Sequence, residues 1–167
     1  TSKNLKTGII SFADVSFISE KDFIEINKRS KVEKGDILMP MIGTIGNPVL
    51  VEFEPNFAIK NVALFREENS SIDMVYLLYL LRSHFFDYVT SKSNRGGTQK
   101  FISLGDLRNL QIPIPKSDEI KVFKETVKGL KQKIAHNTEH LYLCNNLFSS
   151  LTQRAFRGEL TAQKEAA

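Results

Sequence analysis

The residues with the clearest chemical potential lie in one polar, basic and glycine-containing segment, Ser91 to Lys100 (S-K-S-N-R-G-G-T-Q-K). Lysine and arginine side chains neutralise phosphates, and asparagine or glutamine amides read base edges. The segment therefore predicts contact with a nucleic acid. The alternative is a solvated surface loop whose Gly96, Gly97 and Gln99 serve the fold. The candidate DNA-binding residues, including one that lies nearby in sequence, are Arg82, Lys92, Asn94, Arg95 and Lys100.

Charge gives weaker support for such a partner. The chain has a formal net charge of +4 and an isoelectric point near 9.1, which favours a polyanionic partner without specifying one. A second basic run, Lys28, Arg29, Lys31 and Lys34, offers further phosphate contacts. A charged helix end explains that run equally well.

A possible metal constellation consists of His136, His140 and Cys144, spaced four apart on one side of a helix. This spacing can bind zinc, but no clear fourth ligand accompanies it. Cys144 also belongs to an apolar stripe. The favoured interpretation is therefore two exposed histidines and a buried thiol, and no metal site is predicted.

No catalytic residue is predicted. The run Gly43-Thr44-Ile45-Gly46 lacks the Lys-Ser or Lys-Thr of a phosphate-binding loop and leads into a strand, so a hairpin is favoured. Glu119 and Lys121 have the acid-x-basic spacing of some nucleases, but they lie at a helix start, where an acidic residue suits the helix dipole. Methyltransferase glycine and N-P-P-aromatic motifs are absent from the sequence. We expect neither catalysis nor a cofactor.

The longest pattern is an apolar stripe from Ile120 to Ala155, with spacings that alternate between three and four and with Asn137 as its polar member. It predicts a helix about 60 Å long that pairs with a second helix, either from another copy or from a missing half. The alternative is an amphipathic helix packed on its own domain. Asn137 either fixes the register or reaches solvent. The predicted dimerisation residues are Ile120, Phe123, Val127, Leu130, Ile134, Asn137, Leu141, Cys144, Phe148 and Leu151.

The predicted fold class is α+β. A small mixed α/β domain over 1–115 precedes one long coiled-coil-forming helix over 116–160 and a tail over 161–167. Strands are expected at 8–12, 37–39, 48–53 and 58–65, the middle two as a hairpin. Helices are expected after Ser19, at 74–81 and at 84–89, with a helical turn at 103–106. Ser117 or Asp118 is expected to cap the long helix, and Gly158 to end it.

The remaining features concern the compartment. A single cysteine excludes an internal disulfide, which favours a reducing cytoplasm. The longest apolar runs are too short to span a membrane, and the N-terminus has neither an apolar signal core nor a starting Met. The chain is therefore expected to be cytoplasmic and a piece of a longer protein.

Several motifs occur together in a specific order. Gly97-Thr98-Gln99-Lys100-Phe101-Ile102 is followed by Leu107 to Pro115 (L-R-N-L-Q-I-P-I-P), the long helix and Ala155 to Leu160 (A-F-R-G-E-L). With Gly35-Asp36-Ile37-Leu38 and Ile42-Gly43-Thr44-Ile45-Gly46, this order resembles the specificity (S) subunits of type I restriction–modification enzymes. The resemblance extends over roughly residues 10 to 160.

The resemblance implies a non-catalytic DNA-recognition protein. Such subunits usually carry two target recognition domains and two long helices, which pack antiparallel and set the gap between the two halves of a split DNA target. The implied partners are double-stranded DNA, methyltransferase (M) and restriction (R) subunits, and a second copy of the chain through its helix. The resemblance also implies a structural role for Gly97-Thr98-Gln99.

The chain departs from the family pattern in three respects. It has one recognition domain and one helix, so it is expected to be half a subunit or a fragment. The usual opening segment of the domain is missing, and Ile120 stands where a glutamine is common. Two other interpretations stay open. One is an assembly protein that never touches bases, and the other is the recognition domain of a fused restriction–methylation enzyme.

Overall fold

The computed structural model describes residues 1–6, 8–42, 47–68, 72–93 and 102–160, with the backbone alone at 6 and 89–93. The chain divides into two compact units, Thr1–Ile120 and Lys121–Ala167. A short 3-10 helix, Ser2–Asn4, opens the first unit. The strands are β1 (Leu5–Lys6), β2 (Ile9–Ile10), β3 (Ile37–Pro40), β4 (Val49–Leu50) and β5 (Val62–Phe65). The helices are α1 (Glu20–Ser30), α2 (Met74–Leu81), α3 (His84–Ser93), α4 (Leu104–Arg108) and α5 (Ser117–Phe156).

These elements confirm the predicted class, a mixed α/β unit followed by one long helix. A three-stranded antiparallel sheet has β3 in the middle, with β4 on one side and β5 on the other. In its register Leu38 lies opposite both Val49 and Leu64. All four residues of β3 are buried. Strands β1 and β2 form a separate antiparallel pair.

The predicted hairpin is confirmed, but its second strand is shorter than expected. Strand β4 pairs with β3 over two residues only, whereas the sequence predicted a strand over 48–53. Pro48 has no amide proton to extend the ladder in one direction. In the other direction, Val51 instead exchanges hydrogen bonds with the turn at Gly35 and Asp36. The expected glycine connection at 43–46 lies outside the described residues.

The other strands were also predicted too long. Strand β5 begins only at Val62, because Asn61 takes a left-handed backbone conformation with φ of 59° and interrupts the extended run. Strand β2 covers Ile9–Ile10 rather than the whole of 8–12. In both cases the apolar run continues beyond the residues that find a pairing partner.

Two apolar clusters form the core of the first unit, one on each face of β3. Alternate residues of a strand point to opposite faces, so Ile37 and Met39 enter one cluster and Leu38 the other. The larger cluster includes Met74, Leu78 and Leu81 of α2 together with Phe86, Ile102 and Leu107. The smaller cluster includes Leu5, Val32, Val49 and Val51.

Local caps fix where the shorter helices begin. The Ser19 hydroxyl accepts a hydrogen bond from the Asp22 amide at the start of α1, which confirms the predicted cap. The Asp73 carboxylate accepts from the amides of Val75 and Tyr76 at the start of α2. Helix α4, capped by Ser103, confirms the predicted helical turn. Each cap satisfies amide donors that have no partner within the helix.

Helix α3 is longer than the sequence indicated. The prediction ended it at 89 and assigned 91–93 to the polar loop, but the helix continues to Ser93. No glycine or proline occurs between His84 and Ser93, so nothing in the chain forces an earlier end.

Helix α5 runs for 40 residues, which corresponds to about 60 Å. The prediction that Ser117 or Asp118 caps it is wrong, because the helix already begins at Ser117. The carbonyl of Lys116 accepts the first helical hydrogen bond, from the amide of Ile120. The Glu119 carboxylate accepts from the Lys116 amide at 2.8 Å. Glu119 therefore does part of the capping from inside the first turn.

The end of α5 confirms the prediction for Gly158. This residue has φ of +74°, a left-handed conformation that glycine adopts without strain. Its amide donates to the carbonyl of Ala155, and the Glu159 amide donates to that of Arg154. This pair of bonds is the Schellman motif, which satisfies the last carbonyls of a helix. No helix in the described ranges is both long and apolar enough to cross a membrane.

Candidate nucleic-acid interface and helix seam

The predicted nucleic-acid segment, Ser91 to Lys100, begins within the last turn of α3. The longer helix places Lys92 in the last turn of α3, where only the backbone is described. Asn94, Arg95 and Lys100 lie outside the described residues. These four residues therefore stay predicted DNA contacts.

Arg82 has a contact set that the sequence did not indicate. It follows α2 directly, and its guanidinium donates to the Pro48 carbonyl from Nε at 3.1 Å and from Nη2 at 2.8 Å. The same Nη2 also donates to the carbonyl of Gly8 at 3.3 Å. Arg82 thus ties the end of α2 to the start of β4 and to the turn between β1 and β2. Its role in DNA binding stays a prediction.

Gly8 allows this approach. Its φ is +76°, and a Cβ atom at this position would lie 3.1 Å from Nη2 of Arg82. Any larger residue would combine backbone strain with a tight contact to the guanidinium.

Two residues of the second basic run form ion pairs on the surface. Lys28 contacts Glu25 at 2.6 Å within α1, and Lys31 contacts Glu33 at 3.2 Å. Arg29 and Lys34 are exposed. Lys28 and Arg29 lie in the last turn of α1, where cations suit the negative end of the helix dipole.

Asp36 is a buried charged residue, with an exposed fraction of 3%. Its carboxylate accepts from Nε and Nη2 of Arg66 at 2.9 and 2.6 Å and from the amide of Glu33 at 2.7 Å. The hydrogen bond to Asp36 raises the pKa of Arg66 above its usual range, although burial opposes this effect. The arrangement explains Gly35-Asp36 structurally, because the carboxylate closes the turn that leads into β3.

Tyr76 connects α2 to the proline segment that precedes α5. Its hydroxyl donates to the carbonyl of Pro113 at 2.9 Å. Burial raises the pKa of Tyr76 above the ordinary value of 10.0, so the group stays a neutral donor at physiological pH. Sequence reasoning missed this contact, because the two residues are separated by 37 positions.

The apolar stripe on α5 divides into a covered part and an exposed part. Val127 is only 8% exposed, and Ile120 and Phe123 are half-buried. Every residue over 130–151 is exposed, including Leu141 at 63% and Phe148 at 72%. Apolar side chains are therefore exposed over more than five helical turns of the single chain, an arrangement consistent with a coiled coil.

The histidine pair and the cysteine lie within this exposed part. The rings of His136 and His140 have centroids 4.3 Å apart. Cys144 is exposed in the single chain, so the expectation of a buried thiol is wrong for this state. Over the described ranges, no group of three or more histidine, cysteine or acidic side chains is placed to hold a metal ion.

The described residues therefore form a small α/β unit followed by a long helix with an exposed heptad stripe. The sequence profile described as "Type I restriction modification DNA specificity domain" matches residues 1–148, and the chain belongs to that family. This match confirms the resemblance seen in the sequence.

Individual relatives support this family assignment. The chain is 34% identical over 147 residues to the type I restriction enzyme EcoBI specificity subunit of Escherichia coli, a match that covers 83% of this chain and 30% of the relative. It is 31% identical over 137 residues to the MjaVIII specificity subunit of Methanocaldococcus jannaschii, covering 78% of this chain and 32% of the relative. The chain therefore spans about a third of the length of these relatives.

Proposed function

We propose that this chain is the DNA-sequence recognition module of a type I restriction–modification complex. Its α/β unit reads one half of a split target in double-stranded DNA, and its helix sets the distance to the other half. In this proposal residues 1–115 form the recognition domain, 116–160 the spacing and dimerisation helix, and 161–167 a tail. The family match supports the proposal, because it spans both the α/β unit and most of α5.

DNA recognition requires two kinds of contact. Basic side chains neutralise phosphates and position the domain, and polar side chains read base edges, mostly in the major groove. We assign these roles to Arg82, Lys92, Asn94, Arg95 and Lys100. Release of counterions from the phosphates then makes the affinity fall steeply as salt is raised.

The catalytic steps belong to other subunits. In this proposal M subunits methylate the target and R subunits perform ATP-dependent cleavage, so the chain itself needs neither a catalytic residue nor a cofactor. The complex works in the cytoplasm. Names of the relatives support this assignment, since each is a specificity subunit of a type I restriction enzyme.

Dimerisation through the helix brings in a second recognition domain, which reads the other half of the target. An exposed apolar stripe is expected to pair antiparallel with the same stripe of a second copy, which places two recognition domains at opposite ends of the paired helices. A two-fold dimer of identical halves would read a palindromic split target.

The test is selection from a randomised DNA duplex pool by the chain alone and by its complex with M subunits. We expect enrichment of one split, palindromic sequence, with stronger enrichment when M subunits are present. If the complex with M assembles but enriches no sequence, the chain is an assembly protein and the proposed recognition is wrong. A fragment of a fused restriction–methylation enzyme would instead enrich a target without forming a complex with separate M subunits.

A further inference from the structure

The stripe on α5 alternates between two kinds of core position. Ile120, Val127, Ile134, Leu141 and Phe148 occupy the first, and each is followed three residues later by a residue of the second kind. In an antiparallel pair of helices, a position of the first kind faces one of the second kind on the partner. Only registers that differ by a whole heptad satisfy this condition, so the sequence allows a few discrete alignments.

We propose that a second copy of this chain docks against α5 in one of these registers, in which Ile134 faces the partner's Asn137. This inference rests on the antiparallel pairing proposed above and adds its alignment. Leu130 then faces the partner's Leu141, and Ile120 faces the partner's Leu151. The two-fold axis passes between Ile134 and Asn137, and the register gives every predicted dimerisation residue a facing partner.

Asn137 is best accommodated in this alignment. The two Asn137 side chains lie in adjacent layers on either side of the axis, about 4.5 Å apart along it. Each amide can therefore hydrogen-bond to its counterpart, which offsets the desolvation of a polar group in an apolar seam. A polar residue paired in this way fixes register at some cost in stability.

Charge complementarity favours the same alignment. In an antiparallel pair, the residue directly before each core position of the first kind lies beside the same type of residue on the partner helix. In this alignment Glu119 therefore lies beside the partner's Arg154. Two-fold symmetry repeats this opposite-charge contact at the other end of the seam. Arg154 is half-exposed. The nearest described carboxylate oxygen that pairs with it belongs to Glu159 and is 3.9 Å away, so the guanidinium is accessible to a closer carboxylate on a partner helix.

The next register places Asn137 opposite the partner's Leu141. It loses the contact between Glu119 and Arg154, and it brings His140 beside the partner's His140, whereas the proposed register brings His140 beside the partner's Lys133. Each Asn137 is then about 6 Å from its counterpart along the axis. This alignment retains a regular apolar seam but has no opposite-charge flanking pair.

A third register uses only residues that are exposed in the single chain. It places Leu130 opposite the partner's Ala155 and does not use Val127, which is only 8% exposed. It also places Asn137 against the partner's Phe148 and Lys133 beside the partner's Arg154. An unpaired amide and a like-charge contact both oppose it. In the proposed register Val127 gains little new burial, and the new burial comes mainly from the exposed residues around Leu130, Ile134 and Leu141.

Disulfide trapping distinguishes the alignments. All three variants carry Cys144→Ser and Leu130→Cys. The second introduced thiol differs: Leu141→Cys probes the first register, Phe148→Cys the second and Ala155→Cys the third. Within one helix these thiol pairs are about 16 Å or more apart, too far for an intramolecular disulfide. The three variants are therefore matched probes, and only facing thiols form a covalent dimer efficiently.

In a glutathione redox buffer, we expect the L130C/L141C variant to form covalent dimer at least roughly tenfold faster than the other two, because facing thiols have a high effective concentration. Faster trapping of L130C/F148C or L130C/A155C would overturn the register but leave antiparallel pairing intact. Rapid disulfide formation through native Cys144 in the unmodified chain would reveal a parallel dimer and overturn both. Light scattering that shows only monomer would also overturn the docking, whereas target selection tests DNA recognition separately.

A charge swap provides a second measurement that needs no cysteine. Glu119→Arg and Arg154→Glu should each raise the dimer dissociation constant by about fivefold or more, since each creates two like-charge contacts. The double variant should dimerise more tightly than Glu119→Arg alone, which has lost the same capping hydrogen bond to the Lys116 amide, because the charge contacts are restored with opposite polarity. Additive weakening in the double variant would contradict the register even if the thiol variants fail to fold.

Discussion

Arg66 binds the buried carboxylate of Asp36 through two hydrogen bonds and also donates to the carbonyl of Lys31 at 2.7 Å. The two partners are 30 positions apart, and the contact joins the end of β5 to the turn before β3. A bidentate pair of this kind has both strength and a fixed geometry. It holds the edge of the sheet on which the α/β unit is built.

Removing Arg66 should destabilise the α/β unit strongly. Arg66→Ala leaves a carboxylate that is 3% exposed without its counter-charge, and we expect the free energy of unfolding to fall by about 3 kcal/mol. Urea denaturation followed by circular dichroism measures the change. Lys28→Ala removes the exposed pair with Glu25 and serves as the matched control, with an expected effect below about 0.5 kcal/mol. Equal effects of the two substitutions would contradict this account.

Arg82 should contribute to the stability of the α/β unit in addition to its proposed contact with DNA. Arg82→Ala removes the hydrogen bonds to the Pro48 and Gly8 carbonyls, and we expect a loss of about 1–3 kcal/mol in the free energy of unfolding. Arg82→Lys keeps the charge but cannot reproduce the forked geometry, so it should recover little of that stability. Thermal unfolding and DNA titration of both variants separate the two roles. Full stability in Arg82→Lys with normal DNA affinity would show that charge alone matters.

The basic segment that begins in the last turn of α3 should set the salt dependence of DNA binding. If Lys92 and Arg95 each contact a phosphate, Lys92→Ala and Arg95→Ala should each reduce the slope of log affinity against log salt by about 1. Fluorescence anisotropy of the chain in complex with M subunits, across a salt series, measures this slope. Lys128→Ala removes the same charge from α5 and should leave the slope unchanged. A slope that responds equally to all three substitutions would indicate a general charge effect.

Asn137 should limit the number of ways in which α5 can associate. Asn137→Leu removes a polar group from the seam, so we expect the dimer to become more stable while shifted or higher-order assemblies appear. Sedimentation velocity measures the distribution of species. Asn146→Leu makes the same substitution on the outer side of the helix and should keep a single dimer. One clean dimer for Asn137→Leu, indistinguishable from the parent, would refute the role of Asn137 in register.

Local features of the fold could be predicted because their causes lie within a few residues. The Ser19 cap depends on an amide three positions away, and the Schellman end at Gly158 depends on the last turn of α5. The length of α5 likewise followed from the regular spacing of its apolar residues. The end of a strand such as β4 could not be predicted in this way, because it depends on a distant segment: Val51 bonds to the turn at Gly35 and Asp36 instead of extending the ladder.

The sequence alone therefore determined the family, the order of the elements and the presence of a long helix with an apolar stripe. Only the tertiary structure decided which charged groups meet, since Asp36 with Arg66 and Arg82 with Pro48 come together through packing of distant segments. It also decided that Val127 is 8% exposed while Leu130 is 54% exposed, although both belong to the same heptad pattern. A periodic pattern specifies which face of a helix is apolar. What covers each part of that face depends on the surroundings of the folded helix, which the pattern does not contain.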